Sequence, residues 1–232
     1  MSIPKSAPLK VGVLLCSVGV QLLDLAAVDL LAMTTPFYLK ACGLPENIVN
    51  AGHDFEFRYI ADVIKGNKDA PTYAEVTANV KVHITDTLDS VDKLDYLVIP
   101  GPPPSYQPSA ETIAFIQKHT ASVHAVLIIC TGILPAAFSG ILSGKRATAP
   151  LGILPLLREK LPDVKWVAKR WTVDDERKIW TSGGVTNGTD LMAAFVKELN
   201  PQVGDLACKL ADVGERGEDY PEELLKMKWE LK

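Results

Sequence analysis

Val123-His124-Ala125-Val126-Leu127-Ile128-Ile129-Cys130-Thr131-Gly132-Ile133-Leu134 decides the fold of this chain. Its apolar run is bounded too tightly for a helix and reads as a strand buried on both faces, the kind a parallel sheet requires. The run ends on Cys130, and the apolar spacing beyond it turns helical. A strand that turns sharply into a helix sets Cys130 at the strand's carboxyl end, beside the free N–H groups of the helix N-terminus. Those groups and the helix dipole favour a thiolate. Cys130 is therefore read either as a nucleophile on an elbow or as a buried structural thiol of the kind cores commonly hold.

Val11-Gly12-Val13-Leu14-Leu15 and Leu94-Asp95-Tyr96-Leu97-Val98-Ile99 have the same buried character, and Pro100-Gly101-Pro102 stops the second. Phe55, Phe57 and Tyr59 alternate with polar residues and predict another strand, and residues 80–84 a short one. Helices are expected over 24–39, over 109–118 with Ser109 as cap, from Cys130 to about Ile141, and over 188–199. Residues 164–173 and 178–181 alternate around Asp174-Asp175-Glu176-Arg177 and predict a hairpin. Strands alternating with helices over short connections specify an α/β layered sandwich with a mostly parallel central sheet and its site at the strands' carboxyl ends. No repeat or linker divides the chain. A single domain is expected over 10–212, between an N-terminal tail (1–9) and a charged C-terminal surface tail (213–232) with a short helix near Pro221.

The 232 residues are 47% hydrophobic, enough for a sizeable core, and carry a net charge of −4. Without a long Lys/Arg run there is no electrostatic footprint for nucleic acid. No apolar run approaches the roughly 18 to 20 residues of a spanning helix, and the first ten residues lack a signal-peptide core. The expectation is a soluble cytoplasmic protein without a membrane partner. Cys16, Cys42, Cys130 and Cys208 form no C-x-x-C pair and are expected as free thiols. The histidines show no metal-ligand spacing, so no metal is expected.

Three further positions bear on chemistry. Asp24, about ten residues after the first strand, reads either as a helix N-cap or as a carboxyl beside the thiol, able to stay protonated and pass a proton to substrate. The Gly101 N–H is a candidate oxyanion donor in a stiff proline loop where Pro102 has none. The turn Ser182-Gly183-Gly184 lets backbone approach the Cys130 pocket. Gly140 to Arg146 lacks the glycine spacing and the Ser/Thr of a phosphate loop and is rejected as one.

Taken together, Gln21-Leu22-Leu23-Asp24, Ile99-Pro100-Gly101, Ile129-Cys130-Thr131-Gly132, Leu142-Ser143-Gly144-Lys145-Arg146-Ala147-Thr148 and Thr181-Ser182-Gly183-Gly184-Val185-Thr186 resemble the signatures of the ThiJ/PfpI superfamily. The resemblance covers about residues 10 to 200. It implies a flavodoxin-like three-layer fold related to class I glutamine amidotransferases. The Leu-Leu-Asp context and the Gly-Gly-Val-Thr turn are most similar to the isocyanide hydratase branch. The resemblance then implies Cys130 as nucleophile, Asp24 as its acid partner and Thr131 as an elbow residue that steadies the intermediate. Gly101, Gly132, Gly184 and Thr186 are implied as substrate-binding or oxyanion positions. It further implies a small-molecule substrate, no cofactor, no metal and a homodimer. Two departures stand out: Pro150 lies where many relatives have a histidine, and Pro102 where many have a second glycine.

The expected activity is cofactor-free hydration of an isocyanide to an N-substituted formamide. A glyoxalase-type lyase using the same thiol and acid is one alternative, and a non-catalytic oxidative-stress thiol sensor is another. No helix-turn-helix pattern supports a regulator domain.

Overall fold

Strand β1 (Leu9–Leu15) buries all of its last five residues, as a strand covered on both faces must. The computed structural model describes residues 7–16, 19–63, 72–214 and 216–226. Of the two expected tails, residues 1–6, 215 and 227–232 lie outside these. After β1 come helices α1 (Leu22–Ala32), α2 (Pro36–Ala41) and α3 (Glu46–Val49), then strands β2 (Phe55–Ala61), β3 (Tyr73–Val76), β4 (Val80–His83), β5 (Asp86–Thr87) and β6 (Tyr96–Ile99). Helix α4 (Ala110–Ser122) leads into β7 (Ala125–Ile128), α5 (Ile133–Phe138), β8 (Arg146–Ala147), α6 (Leu154–Lys160) and β9 (Lys165–Trp166). The hairpin β10 (Trp171–Val173) and β11 (Ile179–Ser182) precedes α7 (Thr186–Leu199), α8 (Pro201–Leu210) and α9 (Glu222–Lys226).

Among the described residues the main sheet has seven strands in the order β10-β11-β7-β6-β1-β2-β5, parallel throughout except for the β10–β11 hairpin. Alternate side chains leave a strand on opposite faces, and two cores result. Val11, Val13, Val98 and Leu127 pack with Leu31 of α1 and Leu191 and Phe195 of α7 on one face. Leu14, Leu97, Val126 and Ile128 pack with Ile116 of α4, Ile133 of α5 and Leu157 of α6 on the other. This is the three-layer α/β sandwich the sequence predicts. The chain winds outward from β1 in one direction to β2 and in the other to β6 and β7, so the strand order reverses between β1 and β6. A crevice at the carboxyl ends of a sheet forms at such a reversal.

Several boundaries differ from expectation. The helix predicted over 24–39 is two helices, because Pro36 cannot continue α1 and the Thr35 hydroxyl instead caps α2 by accepting the Tyr38 N–H at 3.3 Å. Residues 80–83 do form a strand, but it pairs antiparallel with β3 in a separate ribbon rather than joining the parallel sheet. The hairpin arm predicted over 164–173 is interrupted. Lys165–Trp166 pairs parallel with β8, and only Trp171–Val173 reaches β11. The hairpin turn is held by Asp174, whose carboxylate accepts the N–H groups of Lys178 and Ile179 at 2.7 and 2.9 Å.

The segment expected as a charged surface tail is tied to the core. The Lys169 and Asp219 backbones form a β-bridge, the Arg170 N–H donates to the Glu218 carbonyl at 2.6 Å, and Arg216 grips the Asp190 carboxylate with two nitrogens. Among the described residues no helix is long and apolar enough to cross a membrane.

Candidate active site

Three loops leave the carboxyl ends of β1, β6 and β7 and converge. The β7 strand ends at Ile128, and Cys130 begins a single 3-10 turn that runs into α5. Cys130 takes a φ of 54°, a left-handed backbone conformation that non-glycine residues rarely adopt and that marks strained functional turns. Its N–H is held by the Ser182 hydroxyl at 3.4 Å. Gly132 is required here: any Cβ at this position would lie closer than 3.0 Å to the Ile99 carbonyl oxygen at the end of β6. The elbow and the neighbouring strand therefore touch backbone to backbone.

Asp24 is not the N-cap of α1. Gln21 occupies that position without a side-chain cap, and Asp24 lies in the first turn, fully buried. Its Oδ2 accepts the Gly101 N–H at 2.9 Å, while the Gln21 N–H donates to the Gly101 carbonyl at 3.2 Å. Gly101 thus clamps the end of β6 to the start of α1. A Cβ there would fall closer than 3.0 Å to both the Thr131 hydroxyl and Asp24 Oδ2. The Thr131 hydroxyl donates to the Pro102 carbonyl at 2.7 Å and ties the proline loop to the elbow.

The electrostatics follow from this burial. Desolvation lifts the Asp24 carboxyl from its ordinary 3.8 to about 7, with the Gly101 N–H and the Cys130 thiol holding it back. Oδ2 is engaged by the Gly101 N–H, whereas the buried Oδ1 accepts no N–H. Burial, and secondarily the Asp24 charge, pushes the Cys130 thiol up to about 11, although the N–H groups of Thr131 and Val185 act the other way. This corrects the expected thiolate. A dry site beside a carboxyl outweighs the helix N-terminus, so the resting form near neutral pH is the thiol.

The expected site residues separate into two sets. Cys130, Asp24, Thr131, Gly101 and Gly132 come together. The Gly101 N–H, expected as an oxyanion donor, is engaged by Asp24, and the Gly132 N–H by the Ile129 carbonyl at 2.9 Å. Gly184 and Thr186 instead border an adjoining cleft of about 540 Å³ that Pro150 also lines. The donors aimed at the sulfur are the Thr131 and Val185 N–H groups. Val185 and the Ser182 support were not singled out from sequence, although both lie in the turn over 181–186 that was. Among the described residues no group of three or more His, Cys, Asp or Glu side chains is placed to hold a metal ion.

The pattern of the DJ-1/PfpI family matches residues 43–198, more than half of the chain. An isonitrile (isocyanide) hydratase of Pseudomonas putida is 29% identical over 117 residues, which span 50% of this chain and 50% of that protein. The chain thus spans about half the length of the curated relative it matches. A ThiJ/PfpI family protein from Pseudomonas syringae superposes with a TM-score of 0.69 at 19% identity, covering 93% of this chain and 79% of that one. An AraC family transcriptional regulator from Pseudomonas putida superposes with a TM-score of 0.68 at 14% identity, covering 88% and 100%. At such identities these two likenesses speak for the fold alone.

Proposed function

The chain belongs to the DJ-1/PfpI family, and on that premise we propose that it is a cysteine-dependent, cofactor-free lyase that hydrates an isocyanide to an N-substituted formamide. The observation that carries the reading is the buried Asp24 carboxyl, raised to about 7, beside the Cys130 thiol on its strained elbow. Such a pair keeps the thiol proton at neutral pH and sets beside it a carboxyl near its titration midpoint, able to take up and return a proton. The partial relative at 29% identity supports the same chemistry.

In the proposed cycle the Cys130 sulfur bonds to the terminal isocyanide carbon while its proton travels by way of Asp24 Oδ1 to that same carbon. The product is a thioimidate, R–N=CH–S–Cys130. Water then adds to the carbon, with Asp24 accepting a proton and returning one to nitrogen. The C–S bond breaks with reprotonation of sulfur, and the formamide R–NH–CHO leaves. The N–H groups of Thr131 and Val185 hold negative charge on the sulfur as it enters and leaves. Pro150 offers no imidazole to the cleft, which favours Asp24 over a Cys–His couple as the proton carrier.

A redox sensor needs an accessible, low-pKa thiolate. Cys130 is 6% exposed and raised to about 11, which favours turnover over sensing. The homodimer implied by family resemblance is part of this proposal, and light scattering on the purified protein measures it. The test of the reaction is incubation of purified protein with an aryl isocyanide and, in parallel, with methylglyoxal. Formamide from the first without lactate from the second is the expected result. Lactate alone would move the assignment to a glyoxalase, and neither product from folded protein would reject both lyases.

A further inference from the structure

The cleft of about 540 Å³ lies between the turn that carries Pro150, Leu151 and Ile153, the start of α7 and the segment after α8. Among the described residues, the charged side chains on its wall are two guanidiniums, Arg170 and Arg216. Their situations differ. Arg216 is neutralised, since its Nε and Nη2 grip the buried Asp190 carboxylate at 3.1 and 2.7 Å. Arg170 is not. Its Nη1 donates to the carbonyls of Gly217 and Asp219, which are dipoles and cancel no charge. The Asp219 carboxylate goes to Lys169 instead. Asp190 does act on Arg170 through space, but both of its oxygens are held by Arg216.

Among the described residues, Nε and Nη2 of Arg170 meet no acceptor, and no carboxylate lies within ion-pair distance of them. These two nitrogens form one edge of the guanidinium plane, the pair of parallel donors that matches the two oxygens of a carboxylate. Tyr220 stands beside them, its ring centre 5.4 Å from the guanidinium carbon. The Tyr220 hydroxyl accepts from Asn187 at 2.6 Å, which leaves its own hydrogen to donate. The wall therefore offers one uncompensated positive charge with a second donor next to it, set among the apolar side chains of Leu151, Ile153 and Leu224. A single charge in excess suits a monoanion better than a doubly charged phosphate, and the apolar surroundings suit a ligand with an apolar body. A benzene ring fills an apolar cavity of about 150 Å³, so a ring and a carboxylate both have room here.

We propose that this cleft is a binding site for a small monocarboxylate with an apolar body, the carboxylate on Nε and Nη2 of Arg170 and the body against Leu151, Ile153 and Leu224. Neither Cys130 nor Asp24 lines the cleft, and the site is independent of the proposed reaction. Isothermal titration calorimetry of the full chain at neutral pH tests it, with phenylacetate, phenylacetamide and inorganic phosphate as probes. Phenylacetate is expected to bind saturably and phosphate not to. Phenylacetamide, which has the same shape without the charge, is expected to bind at least about tenfold more weakly, the worth of a charge-assisted bidentate contact.

Arg170→Gln is expected to weaken phenylacetate about tenfold while leaving phenylacetamide within about twofold. That variant also gives up the contacts to Gly217 and Asp219, so a second pair leaves them in place. Leu224→Glu sets a carboxylate on the cleft wall from a half-buried position and should weaken phenylacetate about tenfold relative to Leu224→Gln, which differs from it in charge alone. No saturable binding of phenylacetate by folded wild type, or phenylacetamide binding as tightly, would overturn the proposal. So would wild-type affinity in Arg170→Gln, equal affinities in the two Leu224 variants, or phosphate binding more tightly than phenylacetate. None of these readings involves turnover, so failure of the hydratase reading and failure of this site are separately visible.

Discussion

Asp24→Asn is predicted to make the protein more stable while disabling it, by an amount that depends on pH. In the unfolded chain the carboxyl ionises near 3.8, and in the folded protein near 7. Between those values the unfolded state has released a proton that the folded state keeps, so the native protein loses stability as pH rises from about 4, and the full penalty stands above about 7. At about 1.4 kcal/mol for each pH decade, moving the carboxyl that far costs the folded state about 4 kcal/mol. Asparagine has the same shape, its carbonyl can accept the Gly101 N–H, and it carries no charge to bury. The stability difference between variant and wild type should therefore be near zero at pH 4 and grow to about 4 kcal/mol in favour of the variant at pH 8. Urea unfolding followed by tryptophan fluorescence across that range measures it, Trp180 being fully buried. Loss of the proton carrier should lower turnover by about 10² to 10⁴. Removing the charge that raises the Cys130 pKa should at the same time speed its alkylation at fixed pH. A stability difference that is flat with pH, or that favours wild type at pH 8, would refute the account of Asp24.

Other perturbations probe the neighbouring contacts. Gly101→Ala forces a methyl group against Thr131 and Asp24 and should cost about 1 to 3 kcal/mol in urea unfolding, with turnover falling further than stability; an unaltered protein would contradict the clamp. Thr131→Val removes the donor to the Pro102 carbonyl and should cost about 1 kcal/mol, read as a lowered unfolding midpoint. Alkylation of wild-type Cys130 by iodoacetamide should rise about tenfold per pH unit between 7 and 10, because the thiol titrates near 11; a plateau below pH 9 would mean a thiolate at rest. Tyr220→Phe removes the hydroxyl that accepts from Asn187, and hydrogen exchange over 216–226 should quicken about fivefold.

The elbow was legible because its signals are local. A bounded apolar run, a cysteine and a glycine in sequence specify strand, turn and helix without reference to the rest of the chain. The α1–α2 break was equally local in Thr35 and Pro36, but the apolar periodicity running through them masked it. Asp24 was ambiguous for a physical reason: an aspartate early in a helix looks the same whether it caps the helix or faces a thiol. What separates the two is the Gly101 N–H, 77 residues away in the chain. The acidity of the pair was likewise hidden, since the helix N-terminus is visible in sequence and the desolvation that overrides it is not. The partners of the charged C-terminal segment were not visible in its composition. Its charges suggested a solvated tail, whereas Lys169–Asp219 and Asp190–Arg216 are partners across the fold. The β3–β4 ribbon was half visible, since its strands are short and partly exposed and carry little of the buried signature that β7 does.

In the proposed reaction the Cys130 sulfur bonds to the substrate carbon with Asp24 moving the proton. Rapid quenching of the wild type with an aryl isocyanide, followed by mass spectrometry of the Cys130 peptide, tests it most directly. An adduct on Cys130 equal in mass to one intact isocyanide is expected, formed and lost on the timescale of formamide release, with no formamide from Cys130→Ala. Formamide produced with Cys130 unmodified, or at an undiminished rate by Cys130→Ala, would contradict it.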